Sequence, residues 1–170
     1  MFKLTPDHPS YFAEENVVTG YKQELMILIK NEIDIRFVVS DWKPYDSGSL
    51  CHPRGNDEPR IEVGGMWNAK EDLRAPITVY HELGHLFDAR ENYGGDFRKY
   101  CRANIIEVEL KAWIYGAYLA KALGFAHWDA FLEFMRVCLG SYLQAKKHPT
   151  ITLDGAIEQV ANIVNEGALA

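Results

Sequence analysis

The sequence predicts an α+β fold that is mostly helical, with a small sheet in the N-terminal half of the chain. Residues 33–39 alternate apolar and polar side chains as a strand does, and residues 60–65 form a second short strand-like run. From residue 76 onward, apolar side chains recur at helical spacing in four successive segments. With 170 residues, of which 48% are hydrophobic, we expect a single domain that spans residues 1–170.

The N-terminal elements are predicted from periodicity and from turn residues. Residues 10–30 space their apolar side chains for an amphipathic helix. Residues 40–59 are rich in Asp, Gly, Pro, Ser and Asn, so we predict a loop there. After the second strand, Gly64 and Gly65 either allow a close approach of backbone or simply turn the chain, and the sequence leaves both alternatives open.

The helices of the second half are bounded by recognisable residues. Pro76 suits the first turn of the first helix, and residues 92–95 read N-Y-G-G, which is a stop signal. Residues 102–123 are free of proline and long enough for a second helix, which should end at Gly124. Two further amphipathic helices are predicted, at residues 127–139 and 152–166.

The helix that begins near Pro76 carries the motif H-E-x-x-H, within residues 79–88. Because a helix turns about 100° per residue, His81 and His85 lie roughly 40° apart on one face, where two imidazoles can share one metal ion. Glu82 lies about 60° from His85, so it is placed to act on a metal-bound water as general base rather than to bind the metal. The opposite face is apolar and consists of Val79, Leu83, Leu86 and Phe87. The alternative is a chance match on surface histidines, but this amphipathic division favours zinc.

A third metal ligand is expected on the next helix, because a catalytic zinc takes three protein groups. Glu109 lies in the middle of an apolar face, within about 60° of the following residues on a helical wheel: Ile105, Ile106, Ala112, Trp113, Gly116, Ala120 and Leu123. An ionised carboxylate buried there would need a partner or a metal. Glu107 lies about 160° away and precedes Lys111 at i+4, as in a solvated ion pair. We therefore predict Glu109 as the ligand and Glu107 as a surface residue.

Asp88 returns to the histidine face of the motif helix, about 20° from His81 on the wheel. We expect its carboxylate to accept the free N–H of a ligating histidine and so to fix the tautomer of that ring. The alternative is a helix-end carboxylate or a surface charge.

The motifs at residues 81–85 and 109–112 resemble the H-E-x-x-H … E-x-x-A pattern of gluzincin metallopeptidases. The sequence H-E-L-G-H-L-F-D with a later E-x-E-x-x-A is similar to the catalytic domain of anthrax lethal factor and its relatives. The short chain is similar to the ImmA/IrrE group of bacterial and phage zincins. The resemblance covers about residues 61–123.

This resemblance implies a zincin-like fold and a zinc metalloendopeptidase that hydrolyses a peptide bond by a metal-activated water. The implied zinc ligands are His81, His85 and Glu109. Glu82 is the implied general base, and a tyrosine shortly before the third ligand is the implied donor to the oxyanion. Tyr100 is the nearest by position, Tyr93 is an alternative, and either could be a packing residue. In zincins the strand before the active-site helix, here residues 60–65, commonly forms the edge that pairs with an extended peptide.

Composition narrows the partners and the compartment. The formal charge of −6 argues against nucleic acid as the main partner, so we expect a protein or peptide substrate. We predict a cytoplasmic protein without membrane association, because no signal segment and no spanning apolar run is present. Cys51, Cys101 and Cys138 are widely spaced and odd in number, which is typical of reduced thiols. Adjacent Cys51 and His52 make a poor metal site and are interpreted as surface loop.

Two other classes of function stay open. The chain could be a catalytically silent zincin that acts as a regulatory protein-binding module, through exposed aromatic residues in 127–134. It could also be a structural zinc protein whose fourth position is closed by Asp88 or a cysteine. The sequence predicts neither the substrate nor the oligomeric state.

Overall fold

The computed structural model describes residues 14–33, 35–45, 47–51 and 59–166. These residues form a mostly helical α+β structure with one small mixed sheet, so the predicted fold class is confirmed at that level. Among the described helices, none combines the length and the apolar character that crossing a membrane requires.

The first half of the chain holds one long helix and the sheet. In chain order its elements are α1 (Glu14–Leu28), which continues as a π-helical turn (Ile29–Ile33), then β1 (Arg36–Val39), β2 (Gly48–Cys51), β3 (Arg60–Val63) and a 3-10 turn (Gly65–Asn68). The predicted helix at 10–30 is confirmed from residue 14 onward, and its first residues lie outside the described part of the chain. The strand predicted to begin at residue 33 begins at Arg36 instead. The reason is that Ile29 and Ile33, spaced by four residues, are both buried and prolong the helix.

The second half is helical. Its elements are α2 (Arg74–Tyr93), α3 (Phe97–Tyr100), α4 (Ile105–Ala122), α5 (Trp128–Ala145) and α6 (Leu153–Asn165). The ends predicted for α2 and α4 are confirmed: Gly94, Gly95 and Gly124 have φ of 61°, 77° and 77°, a left-handed conformation that suits glycine and ends the helix before it. Helix α5, predicted to end at residue 139, continues to Ala145. Thr152 caps α6, because its hydroxyl accepts a hydrogen bond from the backbone N–H of Gly155.

The sheet corrects two predictions. Its strand order is β1-β3-β2, so β3 is the central strand: Ile61 pairs with Phe37 of β1 in parallel and with Leu50 of β2 antiparallel. The expectation that residues 60–65 form an edge strand is therefore wrong. The prediction of a loop at 40–59 is wrong at β2, which reads G-S-L-C and has too little apolar alternation to be recognised before its pairing partner is known.

Gly64 and the three cysteines bear on two further expectations from the sequence. A Cβ on Gly64 would lie 2.0 Å from the carbonyl oxygen of Pro44, so this glycine allows the chain's own backbone at Pro44 to lie against it, and the approach of an extended peptide here stays a prediction. Cys51 is the last residue of β2, while its neighbour His52 lies outside the described residues. No disulfide joins Cys51, Cys101 and Cys138, all of which are described.

The chain divides into two compact units, Met1–Glu82 and Leu83–Ala170, and the boundary falls inside α2. In the first unit the core includes Leu25, Ile61, Val63, Met66 and Ile77. In the second unit α4, α5 and α6 pack together, and Trp113 of α4 meets Phe131 of α5 edge to face at 5.6 Å. The boundary between the units lies within one continuous helix. The assignment of the chain to a single domain stays a prediction.

Candidate metal centre

Helix α2 presents the H-E-x-x-H motif from within a buried segment. Just before the helix, the Asp72 carboxylate accepts hydrogen bonds from the backbone N–H and the guanidinium of Arg74 at 3.0 and 2.7 Å. The motif residues are nearly inaccessible to solvent, with exposed fractions of 9%, 5% and 8% for His81, Glu82 and His85. Surface histidines would be solvated, so the interpretation of this motif as an ordinary surface pattern is excluded by burial.

The predicted ligands come together. His81, His85 and Glu109 each offer one ligand atom, and these atoms lie within 4.8 Å of one another. Nε2 of His85 is 3.6 Å from Oε1 of Glu109, so this ring nitrogen faces the carboxylate. Two imidazoles and one carboxylate form a donor set that suits zinc and could also accept other divalent ions. The structure therefore has a buried group that could hold a metal ion, and it leaves the identity of the metal undetermined.

The two glutamates of α4 differ as the helical wheel predicts. The Glu109 side chain is 7% exposed and that of Glu107 is 54% exposed. The ion pair predicted for Glu107 is wrong in its partner: Glu107 lies 3.4 Å from Nε2 of His148, and Lys111 lies 3.9 Å from Asp88. The cation of Lys111 therefore lies next to the buried Asp88 and not next to Glu107.

A close crossing of α2 and α4 brings Glu109 to the second histidine. A Cβ on Gly84 would lie 2.0 Å from the carbonyl oxygen of Ala112 and 3.0 Å from the backbone nitrogen of Gly116. The two helix backbones therefore touch at Gly84, immediately before His85. Ala112 is one turn after Glu109, so this contact lies close to both the carboxylate and the imidazole.

Tyr100 lies beside His85. Its hydroxyl is 2.7 Å from Nδ1 of His85, the ring nitrogen that does not face Glu109. Tyr93, the alternative donor, packs its ring against Tyr100 at 5.2 Å. The role of Tyr100 as oxyanion donor stays a prediction, and the contact with His85 was not predicted.

Asp88 is fully buried, so the interpretation as a surface charge is wrong. Its Oδ1 accepts a hydrogen bond of 2.7 Å from the side-chain amide of Asn92, and Lys111 is the cation next to it. Burial raises the pKa of the Asp88 carboxyl, and the Asn92 hydrogen bond and Lys111 oppose this rise only in part. We expect Asp88 to accept the free N–H of a ligating histidine. In His85, the ring nitrogen Nδ1 is hydrogen-bonded to the hydroxyl of Tyr100 instead.

Strand β2 lies against the motif at Glu82. A Cβ on Gly48 would lie 2.2 Å from Cγ2 of Thr78 and 3.3 Å from Oε1 of Glu82. Gly48 therefore lets an edge strand of the sheet approach this carboxylate. The sequence does not predict this contact, because the composition of residues 40–59 predicts a loop where β2 forms.

Comparison with known proteins returns no match, whether to a family model, to a curated protein or to a solved structure.

Proposed function

We propose that this protein is a zinc-dependent metallopeptidase of the gluzincin type, with a zincin-like fold. The observation that carries the proposal is the buried group of His81, His85 and Glu109, with Glu82 next to it in the motif. Three ligands leave a coordination position for a reactant, as catalytic zinc sites do. When bound, the zinc would supply a water of lowered pKa and would stabilise negative charge on the carbonyl oxygen of the substrate.

The protein residues have separate roles in this proposal. The two imidazoles and the Glu109 carboxylate would hold the ion from a buried position. Glu82 accepts the proton of the attacking water and passes it to the leaving amine. Its neighbour Gly48 keeps β2 close to this carboxylate.

The proposed substrate is an extended peptide. Within the described sheet, β2 is an edge strand, and an edge can add a further strand through backbone hydrogen bonds. A peptide paired with β2 would run past Gly48 and so past Glu82. The strand expected in this role is thus β2, in place of the central β3.

Two observations argue against the competing classes. Among the described residues, the metal-binding group contains neither Asp88 nor a cysteine, whereas the structural zinc alternative needs one of them as a fourth ligand. The aromatic residues of the segment 127–134 are only partly available as a docking surface: Phe131 is fully buried, whereas Trp128 and Phe134 are half-buried. Phe134 also meets Trp113 edge to face at 6.2 Å, so this segment exposes less aromatic surface than the binding-module alternative expects.

The test combines metal content with hydrolysis. We expect about one zinc per chain in protein purified without added metal, lost in Glu109→Ala and kept in the matched control Glu107→Ala. Glu82→Gln should keep the zinc and abolish cleavage of a proteome-derived peptide library, with cleavage products identified by mass spectrometry. Equal zinc in the Glu109→Ala and Glu107→Ala variants would contradict the metal centre. Cleavage that survives Glu82→Gln would contradict the peptidase mechanism while leaving the metal centre standing.

A further inference from the structure

The contact between Tyr100 and His85 concerns the side of the imidazole that does not bind the metal. A histidine that ligates through Nε2 must carry its proton on Nδ1, and a group that accepts this proton fixes both the tautomer and the ring orientation. In His85, Nε2 faces Glu109 at 3.6 Å and Nδ1 faces the Tyr100 hydroxyl at 2.7 Å. The phenol oxygen is therefore in the position of the orienting acceptor.

We propose that Tyr100 is a positioning residue of the metal centre: its hydroxyl oxygen accepts a hydrogen bond from Nδ1–H of His85 and holds Nε2 toward Glu109. This inference rests on the proposed metal centre and deepens it. It competes with the role of oxyanion donor that the resemblance implies, because the hydroxyl lies beside Nδ1 of His85, whereas an oxyanion donor must reach the metal position that Nε2 faces.

The surroundings of Tyr100 keep the hydroxyl in place. The short helix α3 is capped by Asp96, whose carboxylate accepts hydrogen bonds from the backbone N–H groups of Arg98 and Lys99 at 3.0 and 3.1 Å. Tyr100 ends this helix, and its own N–H donates to the carbonyl oxygen of Asp96 at 3.0 Å. The backbone that carries the ring is thus fixed at both ends of the helix.

The ring of Tyr100 also connects the two ligand-bearing helices. It is 4% exposed and belongs to a buried cluster with Ala89 and Val108. Ala89 lies one turn after His85 on α2, and Val108 directly precedes Glu109 on α4. A tyrosine at this point fixes the imidazole relative to the same packing that positions the carboxylate, which is what a positioning residue requires.

The decisive variant is Tyr100→Phe, which removes the hydroxyl and keeps the ring. Its matched control is Tyr93→Phe, which removes a hydroxyl from the neighbouring ring of the same cluster. Zinc affinity is measured by competition with a chelating dye, and folding is monitored by thermal unfolding of the metal-free proteins. We expect Tyr100→Phe to bind zinc roughly 10–100-fold more weakly than the wild type and Tyr93→Phe to bind it equally well.

A spectroscopic measurement on the wild type supports the variant. In the zinc-loaded protein, labelled with ¹⁵N-histidine, we expect His85 to bind zinc through Nε2 and to show a slowly exchanging Nδ1–H proton. Tyr100→Phe should make this proton exchange with water faster, which a purely steric role of the ring would not do. The measurement on the wild type decides the question even if the variant fails to fold.

Three results would overturn the inference. One is zinc ligation through Nδ1 of His85 in the wild type. The second is unchanged zinc affinity and proton exchange in Tyr100→Phe together with reduced peptide cleavage, which would establish the oxyanion-donor role. The third is a wild-type protein that binds no zinc, and this result would remove the proposed function as well.

Discussion

Helix α2 is contacted in two different ways along its length. In the first unit, the edge strand β2 approaches it through Gly48, which lies against the side chains of Thr78 and Glu82. In the second unit, α4 crosses α2 at Gly84, where the backbone of Gly84 lies against the backbone of Ala112. A side chain can rotate away from an added methyl group, whereas a helix backbone cannot, so the two contacts should differ in tolerance.

The difference separates two parts of the proposed chemistry. The crossing with α4 lies next to the proposed ligands His85 and Glu109, so we expect it to affect metal affinity. The contact with β2 sets the surroundings of Glu82 and the edge along which a peptide would lie. Substitutions at the two glycines should consequently affect different measurable quantities.

The largest effect is expected for Gly84→Ala. The added Cβ would lie 2.0 Å from the carbonyl oxygen of Ala112, so α2 and α4 must separate. Overpacking of this kind costs about 1–3 kcal/mol or more in free energy of unfolding, and the displaced Glu109 would no longer reach the ion. We expect a lower melting temperature and loss of zinc, measured by thermal unfolding and by metal content.

The matched control for this variant is Gly140→Ala in α5. There the added Cβ would lie 3.5 Å from Cδ2 of Leu153, which is ordinary contact, and alanine is the better helix former. We expect this control to be neutral or slightly stabilising. Full zinc binding in Gly84→Ala would show that the close crossing is not what sets the ligand distance.

A smaller effect is expected for Gly48→Ala. The added Cβ would lie 2.2 Å from Cγ2 of Thr78, a side-chain methyl that can move, and the cost should be about 1–2 kcal/mol. We expect zinc content to stay at the wild-type level while peptide cleavage falls, because Glu82 and β2 are disturbed and the ligands are not.

The double variant Gly48→Ala with Thr78→Ser sharpens this test, since serine lacks the methyl group in question. The second substitution should restore most of the lost stability and cleavage. If the double variant is no better than Gly48→Ala alone, the contact with Thr78 is not the cause.

Residues on α4 illustrate what local periodicity predicts. Glu107 and Glu109 are only two positions apart, yet a helical wheel predicts one as exposed and the other as buried, because the helical period acts over a few residues and needs no knowledge of the fold. The end of α2 is also predictable from local sequence, because Gly94 and Gly95 readily adopt the left-handed conformation that ends a helix.

Contacts between distant residues were not predictable in this way. Strand β2 forms because it pairs with β3, and its register places Gly48 beside Glu82, a relation that no pattern within G-S-L-C contains. The hydrogen bond between Tyr100 and His85 joins residues 15 positions apart through a four-residue helix that was not predicted. Gly84 is an intermediate case, because its small size was visible in the motif and its partner Ala112 was not.

The smallest effect on stability is expected for Asp88→Asn, which replaces the buried carboxylate of α2. Burial raises the pKa of Asp88 above its ordinary value of 3.8, so the folded protein binds a proton more tightly than the unfolded chain does. Stability from this group is therefore lost as the pH rises from about that ordinary value through the raised pKa. Asparagine carries no charge at any pH and keeps an oxygen that can accept the hydrogen bond from Asn92.

We therefore expect metal-free Asp88→Asn to unfold at a higher temperature than the metal-free wild type at pH 7, and this advantage should shrink toward pH 4. The other titrating groups are common to both proteins, so the difference between the two melting curves isolates Asp88. An advantage that is the same at both pH values would attribute the effect to packing instead of charge. A variant less stable at pH 7 would show that the attraction of Lys111, 3.9 Å away, outweighs the cost of burying the carboxylate.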